Sequence, residues 1–207
     1  MVPDTITREC RTNYTAYHHE GERRQASIRY IVLHSTESTS AQGTAEYFMT
    51  PASGGSSNLV VDDNQCYRVL SDNIIPQGAP PLNTLGFHIE QAGYAAWTRT
   101  EWLKHEATIQ RAAYKASIRC RAYKIPATVL TVAQLQKDFG GPVHGGVPQQ
   151  PGALHGGIVT HATVSAAFGD YLEEIHLDPH HDPGTGYPMD VFLKWIEHYI
   201  DPANEPE

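Results

Sequence analysis

The segment Ile28-Arg-Tyr-Ile-Val-Leu-His34 constrains this chain more than any other. Its β-branched and aromatic residues form a short continuous apolar run, the pattern of a central strand covered on both faces. A histidine closes that run and Ser35-Thr36 follows it. A strand end is a rigid mount for a reactive side chain, so the same segment that specifies a core also offers a site.

The rest of the chain alternates between strand and helix signals. Ser38 to Met49 predicts a short helix capped by Thr39 or Ser40. Asn58–Val61 and Cys66–Leu70 predict a hairpin around the turn Asp62-Asp-Asn-Gln65. Gly86–Gln91 is a further strand. Glu101 to Tyr123 is the longest helix signal, with Trp102, Ile109, Ala113, Ala116, Cys120 and Tyr123 near one face; Thr100 would cap it and Ile125-Pro126 end it. Val132–Phe139 predicts a helix stopped by Gly140-Gly141-Pro142, and a Gly, Pro and His loop reaches to Gly157. Its length suggests a functional loop. A final helix runs from about Asp190 to Ile200. The expected class is α/β, a mixed central sheet flanked by helices. Residues 1–26 read as an N-terminal arm or linker, 27–200 as one catalytic domain, and the acidic, Pro-rich 201–207 as a linker-like tail.

Charge and composition exclude several functions. The chain carries 15 basic against 23 acidic residues, a net charge of -8, which is wrong for neutralising nucleic-acid phosphates. No apolar run approaches a membrane span, and the polar start Met1-Val-Pro-Asp-Thr-Ile-Thr-Arg lacks the apolar stretch of a secretory signal. Cys10, Cys66 and Cys120 lie far apart with no C-x-x-C pair. The odd count argues against a disulfide scaffold and leaves them as buried or free thiols. Twelve histidines in 207 residues are the compositional oddity.

Their placement carries chemistry. His34 ends one apolar run, and Gly157-Ile-Val-Thr-His161 delivers a second histidine into a polar turn. His180-His181-Asp182-Pro183-Gly184 presents two imidazoles and a carboxylate on a turn stiffened by proline and glycine. Histidine and aspartate from separate segments match a catalytic zinc site, where three protein ligands leave a position for water. Glu90, in Gly86-Phe-His-Ile-Glu90, is a carboxylate suited to moving the proton of that water. His88 shares its strand face. Ser35 and Thr36 lack the G-x-S-x-G setting of a serine nucleophile and suit hydrogen bonds near the metal.

Four motifs, Ile31-Val-Leu-His34-Ser-Thr36, Gly86-Phe-His-Ile-Glu90, Gly157-Ile-Val-Thr-His161 and His181-Asp182-Pro-Gly184, stand in the order found in zinc-dependent N-acetylmuramoyl-L-alanine amidases, the group of phage endolysins related to peptidoglycan recognition proteins. Ser56-Ser57-Asn58-Leu-Val-Val-Asp62 is similar to that family's hairpin. The resemblance covers about residues 27–200. It implies that His34, His161 and Asp182 bind Zn2+, that Glu90 is catalytic with His180 as its second polar group, and that Asn58 and His88 touch substrate. Several positions depart from the pattern: His180 stands for a common lysine, Asn58 for an aromatic or histidine, His88 for a small residue, and Asp182 for the cysteine of some members. The implied partner is bacterial peptidoglycan, with neither nucleic acid nor membrane. The protein is expected to be a monomeric module of a phage endolysin, joined to further domains and held in the host cytoplasm until lysis. A zinc peptidase acting within the stem peptide would use the same residue types. A peptidoglycan-binding module would not need all four of His34, His161, Asp182 and Glu90.

Overall fold

β1 (Tyr30–Ser35), β2 (Leu59–Val61), β3 (Cys66–Arg68), β4 (Gly86–Gln91) and β5 (Gly157–Thr160) form one sheet in the order β3-β2-β4-β1-β5. This computed structural model describes Ile6, residues 9–140 and 155–201, and Ala203. The loop expected before Gly157 falls largely at 141–154, outside the described residues, as does most of the expected tail. β1 runs parallel to β4 and β5, and β4 parallel to β2, while β2 and β3 form the antiparallel hairpin. α1 (Ala41–Phe48) links β1 to the hairpin. α2 (Arg99–Leu103), α3 (Glu106–Tyr123) and α4 (Val132–Asp138) lie between β4 and β5. α5 (His161–Ala167), α6 (Gly169–Glu174) and α7 (Met189–Ile200) complete the chain.

Strand parity divides the sheet into two faces with different tasks. Ile31, Leu33, Phe87, Ile89 and Ile158 pack with Ile109 and Ala113 of α3 and Phe192 and Ile196 of α7. Tyr30, Val32 and Val159 turn the other way, onto Leu135 and Phe139 of the α4 region and Val164 and Phe168 of the α5 region. His34, His88 and Glu90 fall on this second parity. The expected mixed sheet with helices on its faces is the architecture observed.

The long helix expected over 101–123 is two helices. Thr98, not Thr100, caps α2 through a reciprocal bond with Glu101. α3 starts afresh at Glu106 because the hairpin turn supplies a carboxylate there: Asp63 accepts from His105 Nδ1 (2.6 Å), the Thr108 amide (3.0 Å) and the Thr108 hydroxyl (2.8 Å). A side chain 45 residues away in sequence thus satisfies donors that a continuous helix would have buried in its own ladder.

The cysteines also differ from expectation. Cys10 and Cys66 form a disulfide, and only Cys120 is free, its buried thiol pushed up to about 12. Spacing of 56 residues hides this pairing, which arises because residues 9–17 run along the hairpin edge: the Arg11 amide bonds the Cys66 carbonyl and the Ala16 amide the Val69 carbonyl. The segment read as an arm is therefore pinned to the domain before β1. Arg23 is buried at its end and donates to the carbonyls of Asp72, Asn83, Thr84 and Gly86.

Candidate active site

The reactive groups stand at the carboxyl ends of parallel strands, where chains in open α/β sheets diverge and leave a crevice. His34 is the fifth residue of β1 and pairs in register with Glu90 of β4. His161 opens α5 directly after β5, on a helix start capped by the Thr160 hydroxyl accepting from the Thr163 amide (3.0 Å). The expected turn around His161 is therefore a helix N-terminus, which fixes the ring more firmly than a turn. Asp182 arrives on the long connection between α6 and α7. Its carbonyl accepts the Ala162 amide (2.9 Å), and its Oδ2 accepts the Ser35 amide (3.3 Å). Gly184 lets that connection close: its φ is +87°, and a Cβ there would sit 1.9 Å from the Ala95 carbonyl oxygen.

These constraints bring His34, His161 and Asp182 together, with one ligand atom from each within 4.8 Å of the others. Nδ1 of His34 lies 3.2 Å from Asp182 Oδ2, and Nδ1 of His161 lies 3.1 Å from Asp182 Oδ1. All three residues are buried. His180 stacks on His161 with ring centroids 4.2 Å apart and puts its Nδ1 3.6 Å from Asp182 Oδ1, while most of its ring stays exposed. Burial opposes ionisation of Asp182, but hydrogen bonds from His161, His180 and His34 outweigh it and hold the carboxyl far below the usual range. Burial likewise depresses His161, to about 4. Burial pulls His34 down too, yet Glu90 and Asp182 more than compensate and its net shift is upward. Glu90 is also raised, by burial, to about 7. Its Oε2 is shielded and, among the described residues, has no hydrogen-bond partner. Two imidazoles and a carboxylate converging on one point, beside a carboxylate oxygen with nothing to bind, are arranged for a metal and a reacting water.

Asn58 and His88 occupy other places than those expected of substrate contacts. Asn58 is fully buried; its Oδ1 accepts the His88 amide (3.0 Å) and its Nδ2 reaches the Ser71 and Ile74 carbonyls. It ties the sheet to the loop after β3. His88 is also fully buried, beneath the site, and its Nδ1 lies 3.1 Å from His34 Nε2. Room for that ring comes from Gly78 and Gly86, where a Cβ would fall 2.8 and 2.7 Å from its two nitrogens. His88 thus supports the ring of His34 from behind. Ser35 and Thr36 are engaged as well, the first donating to Glu37 (3.0 Å) and the second to the Ser38 carbonyl (2.7 Å).

Above these groups opens a cleft of about 910 Å³, walled by Tyr47 and Phe48 of α1 on one part and Leu172 and Ile175 around α6 on another. His180 and His181 both line it. The sequence reading missed Glu20 and Glu37, which also line it. Glu37 carries a signal only the backbone reveals, a left-handed φ of 51° at a non-glycine residue. Its carboxylate accepts the Ala95 amide (2.7 Å) as well as the Ser35 hydroxyl.

Residues 24–185 match the family model described as N-acetylmuramoyl-L-alanine amidase. No curated protein matches the chain by sequence. Among solved structures, the fold is similar to the Staphylococcus aureus hydrolase AmiA in complex with its ligand, with a TM-score of 0.64 and 15% identity over 95% of this chain and 86% of that one. It is also similar to the N-acetylmuramoyl-L-alanine amidase LysC from Clostridium intestinale (TM-score 0.54, 12% identity, 92% and 99% covered) and to a mutant endolysin from Bacillus subtilis (0.53, 16%, 91% and 98%). At such identities the structures speak for the shared fold, and the family model for the shared chemistry.

Proposed function

The chain belongs to the N-acetylmuramoyl-L-alanine amidase family, an enzyme family that hydrolyses the amide between N-acetylmuramic acid and L-alanine in peptidoglycan, and on that premise we propose how its residues divide the work. His34, His161 and Asp182 hold a zinc ion. The observation that carries this is their convergence within 4.8 Å beside Glu90 at the floor of one cleft. Imidazole nitrogen and carboxylate oxygen are ordinary zinc ligands, and three of them leave a position open. Zinc bound there supplies Lewis acidity toward a water and the scissile carbonyl.

Glu90 takes a proton from the attacking water as that water adds to the lactyl carbonyl carbon. Burial raises this carboxyl, to about 7 in the metal-free protein, toward the range in which a group both accepts a proton and gives it up again. Glu90 returns the proton to the departing alanine nitrogen. His180, exposed beside His161, donates a hydrogen bond to the carbonyl oxygen as that oxygen gains charge. His88 keeps the His34 ring turned so that Nδ1 faces Asp182. No covalent enzyme intermediate is required.

The finer biology follows the endolysin resemblance. We read the chain as a monomeric wall-cutting module of a bacteriophage lysin, joined to further domains and waiting in the host cytoplasm until the membrane is breached. End-group analysis of digested peptidoglycan tests the central reading. New L-alanine amino groups, lost on chelation and restored by zinc, are expected. A different new amino terminus would make the protein a peptidase, and sedimentation with the wall without any new amine would make it a binding module.

A further inference from the structure

Charge of one sign dominates the cleft. Glu20, Glu37 and Asp178 line it in addition to Glu90 and Asp182, and among the described residues neither lysine nor arginine does. The segment 141–154, Gly141 to Leu154, contains no lysine or arginine in its sequence. Two of the additional carboxylates are fixed by neutral donors. Glu20 Oε1 accepts from the Asn83 side-chain amide (2.6 Å), and Glu37 Oε1 from the Ser35 hydroxyl and the Ala95 amide. Such bonds orient a carboxylate and leave its charge in place. Glu37 also adds to the negative field felt by Glu90. A zinc ion at the floor would be offset in part by Asp182, and the carboxylates of Glu20, Glu37 and Asp178 would still line the walls.

Resting on the amidase reading, we propose that this cleft selects stem peptides that bring no free carboxylate into it. The second residue of the preferred stem carries an amide in place of the free α-carboxylate of D-glutamate, and its third residue ends in an ammonium without an accompanying carboxylate. A free carboxylate on the walls of this cleft exchanges water for fixed like charges and, among the described lining residues, meets neither lysine nor arginine. An amide N–H or an ammonium in the same place meets oriented acceptors. The wall residues Phe48, Leu172 and Ile175 offer a charged group no polar side-chain partner in place of the water it gives up.

The test compares three synthetic substrates, each closed by a C-terminal amide so that no main-chain carboxylate is added, with the zinc-loaded protein: N-acetylmuramoyl-L-alanyl-D-isoglutaminyl-L-lysinamide, the same compound with D-glutamate, and the same compound with a diaminopimelate residue, its side-chain carboxylate free, in place of lysine. The amidated lysine compound is expected to have the highest kcat/KM, by about tenfold, with the difference in KM. Glu20→Lys should narrow that gap by improving the carboxylate substrates, and Glu20→Gln should narrow it less. Equal rates on all three, or a preference for the carboxylates, would overturn the selectivity and leave the amidase reading standing. A gap untouched by both Glu20 variants and by Glu37→Gln would assign the discrimination elsewhere and overturn it too. Cleavage of none of them removes the amidase reading and this inference together.

Discussion

Leu33 and His34 are neighbours in β1, yet one lies in a hydrocarbon interior and the other at the floor of a polar cleft. The same split runs through β4, where Phe87 and Ile89 face α3 and α7 while His88 and Glu90 face the site. On the first face, shape and volume decide stability, and any well-packed apolar set would serve. On the second, polar groups are buried close together, so direction and protonation matter more than volume. One sheet can hold both because its side-chain period is 2, and a one-residue slip would exchange them. Substitutions on the two faces should therefore separate into losses of function without unfolding and losses of stability without change in chemistry.

The largest effect is expected at Glu90. Glu90→Gln should lower kcat by roughly 10²- to 10⁴-fold, the usual contribution of a positioned acid–base group, with zinc affinity nearly unchanged. In the zinc-loaded enzyme kcat/KM should rise with pH as this carboxyl ionises and becomes the base, at a pH below the value of about 7 that burial gives it in the metal-free protein, because the nearby cation favours the carboxylate. The stability of the metal-free protein should move the other way. A carboxyl raised in the folded state keeps its proton after the unfolded chain has lost it, so its contribution falls between about 4.5 and 7 and then levels. Equal loss of metal binding and turnover in Glu90→Gln would erase the distinction between ligand and base.

The apolar face answers differently. Phe192→Ala removes a fully buried ring from the α7 side of the sheet and should cost about 3–5 kcal/mol in urea unfolding. Turnover per folded molecule should stay near the parent value. A fall in kcat at a temperature where the variant remains folded would mean that the two faces are coupled through the strands.

His88 lies on the boundary, since it is as buried as Phe87 but bonded to a metal-site ring. His88→Ala should weaken zinc binding by about 10- to 100-fold, measured by competition with a chelator, because the His34 ring loses its support. His88→Gln should recover part of it. A variant that loses only stability, with zinc affinity intact, would move His88 to the packing side.

Legibility in the sequence follows the same division. β4 was expected at 86–91 and is found there, and β1 and the last helix differ by one or two residues, because short-period apolar patterns report burial directly. His34, His161 and Asp182 could be singled out because each ends an apolar run or rides a Pro-Gly turn, whereas Glu90 stood out only beside them and through the family resemblance. Asn58 and His88 entered as substrate contacts through the family resemblance, but both side chains are fully buried, Asn58 accepting the His88 amide and His88 lying against the His34 ring, and no local pattern reports such long-range partners. α5 and α6 were missed since Thr163, Val164 and Ser165 carry weak helix propensity, and the Thr160 cap and the packing of Val164 and Phe168 override it. The Cys10–Cys66 bond and the acidic lip at Glu20 and Glu37 depend on contacts that no local pattern encodes.

The smallest effect concerns a junction of this long-range kind. Asp63 ends α2 and starts α3 by capturing His105 and Thr108, and Trp97 stacks on the His105 ring at 4.8 Å. If the carboxylate directs the break, Asp63→Ala should cost about 1–2 kcal/mol, the loss typical of a helix cap. Asp63→Asn should recover much of it, because an amide oxygen still accepts the Thr108 amide. Both variants sit away from the cleft and should keep the parent kcat. Amide exchange at Thr108 and Ile109 would accelerate in the alanine variant as the helix start frays. If exchange and stability are both unchanged, the stack of Trp97 on His105 holds the junction by itself, and Trp97→Ala becomes the substitution that frays it.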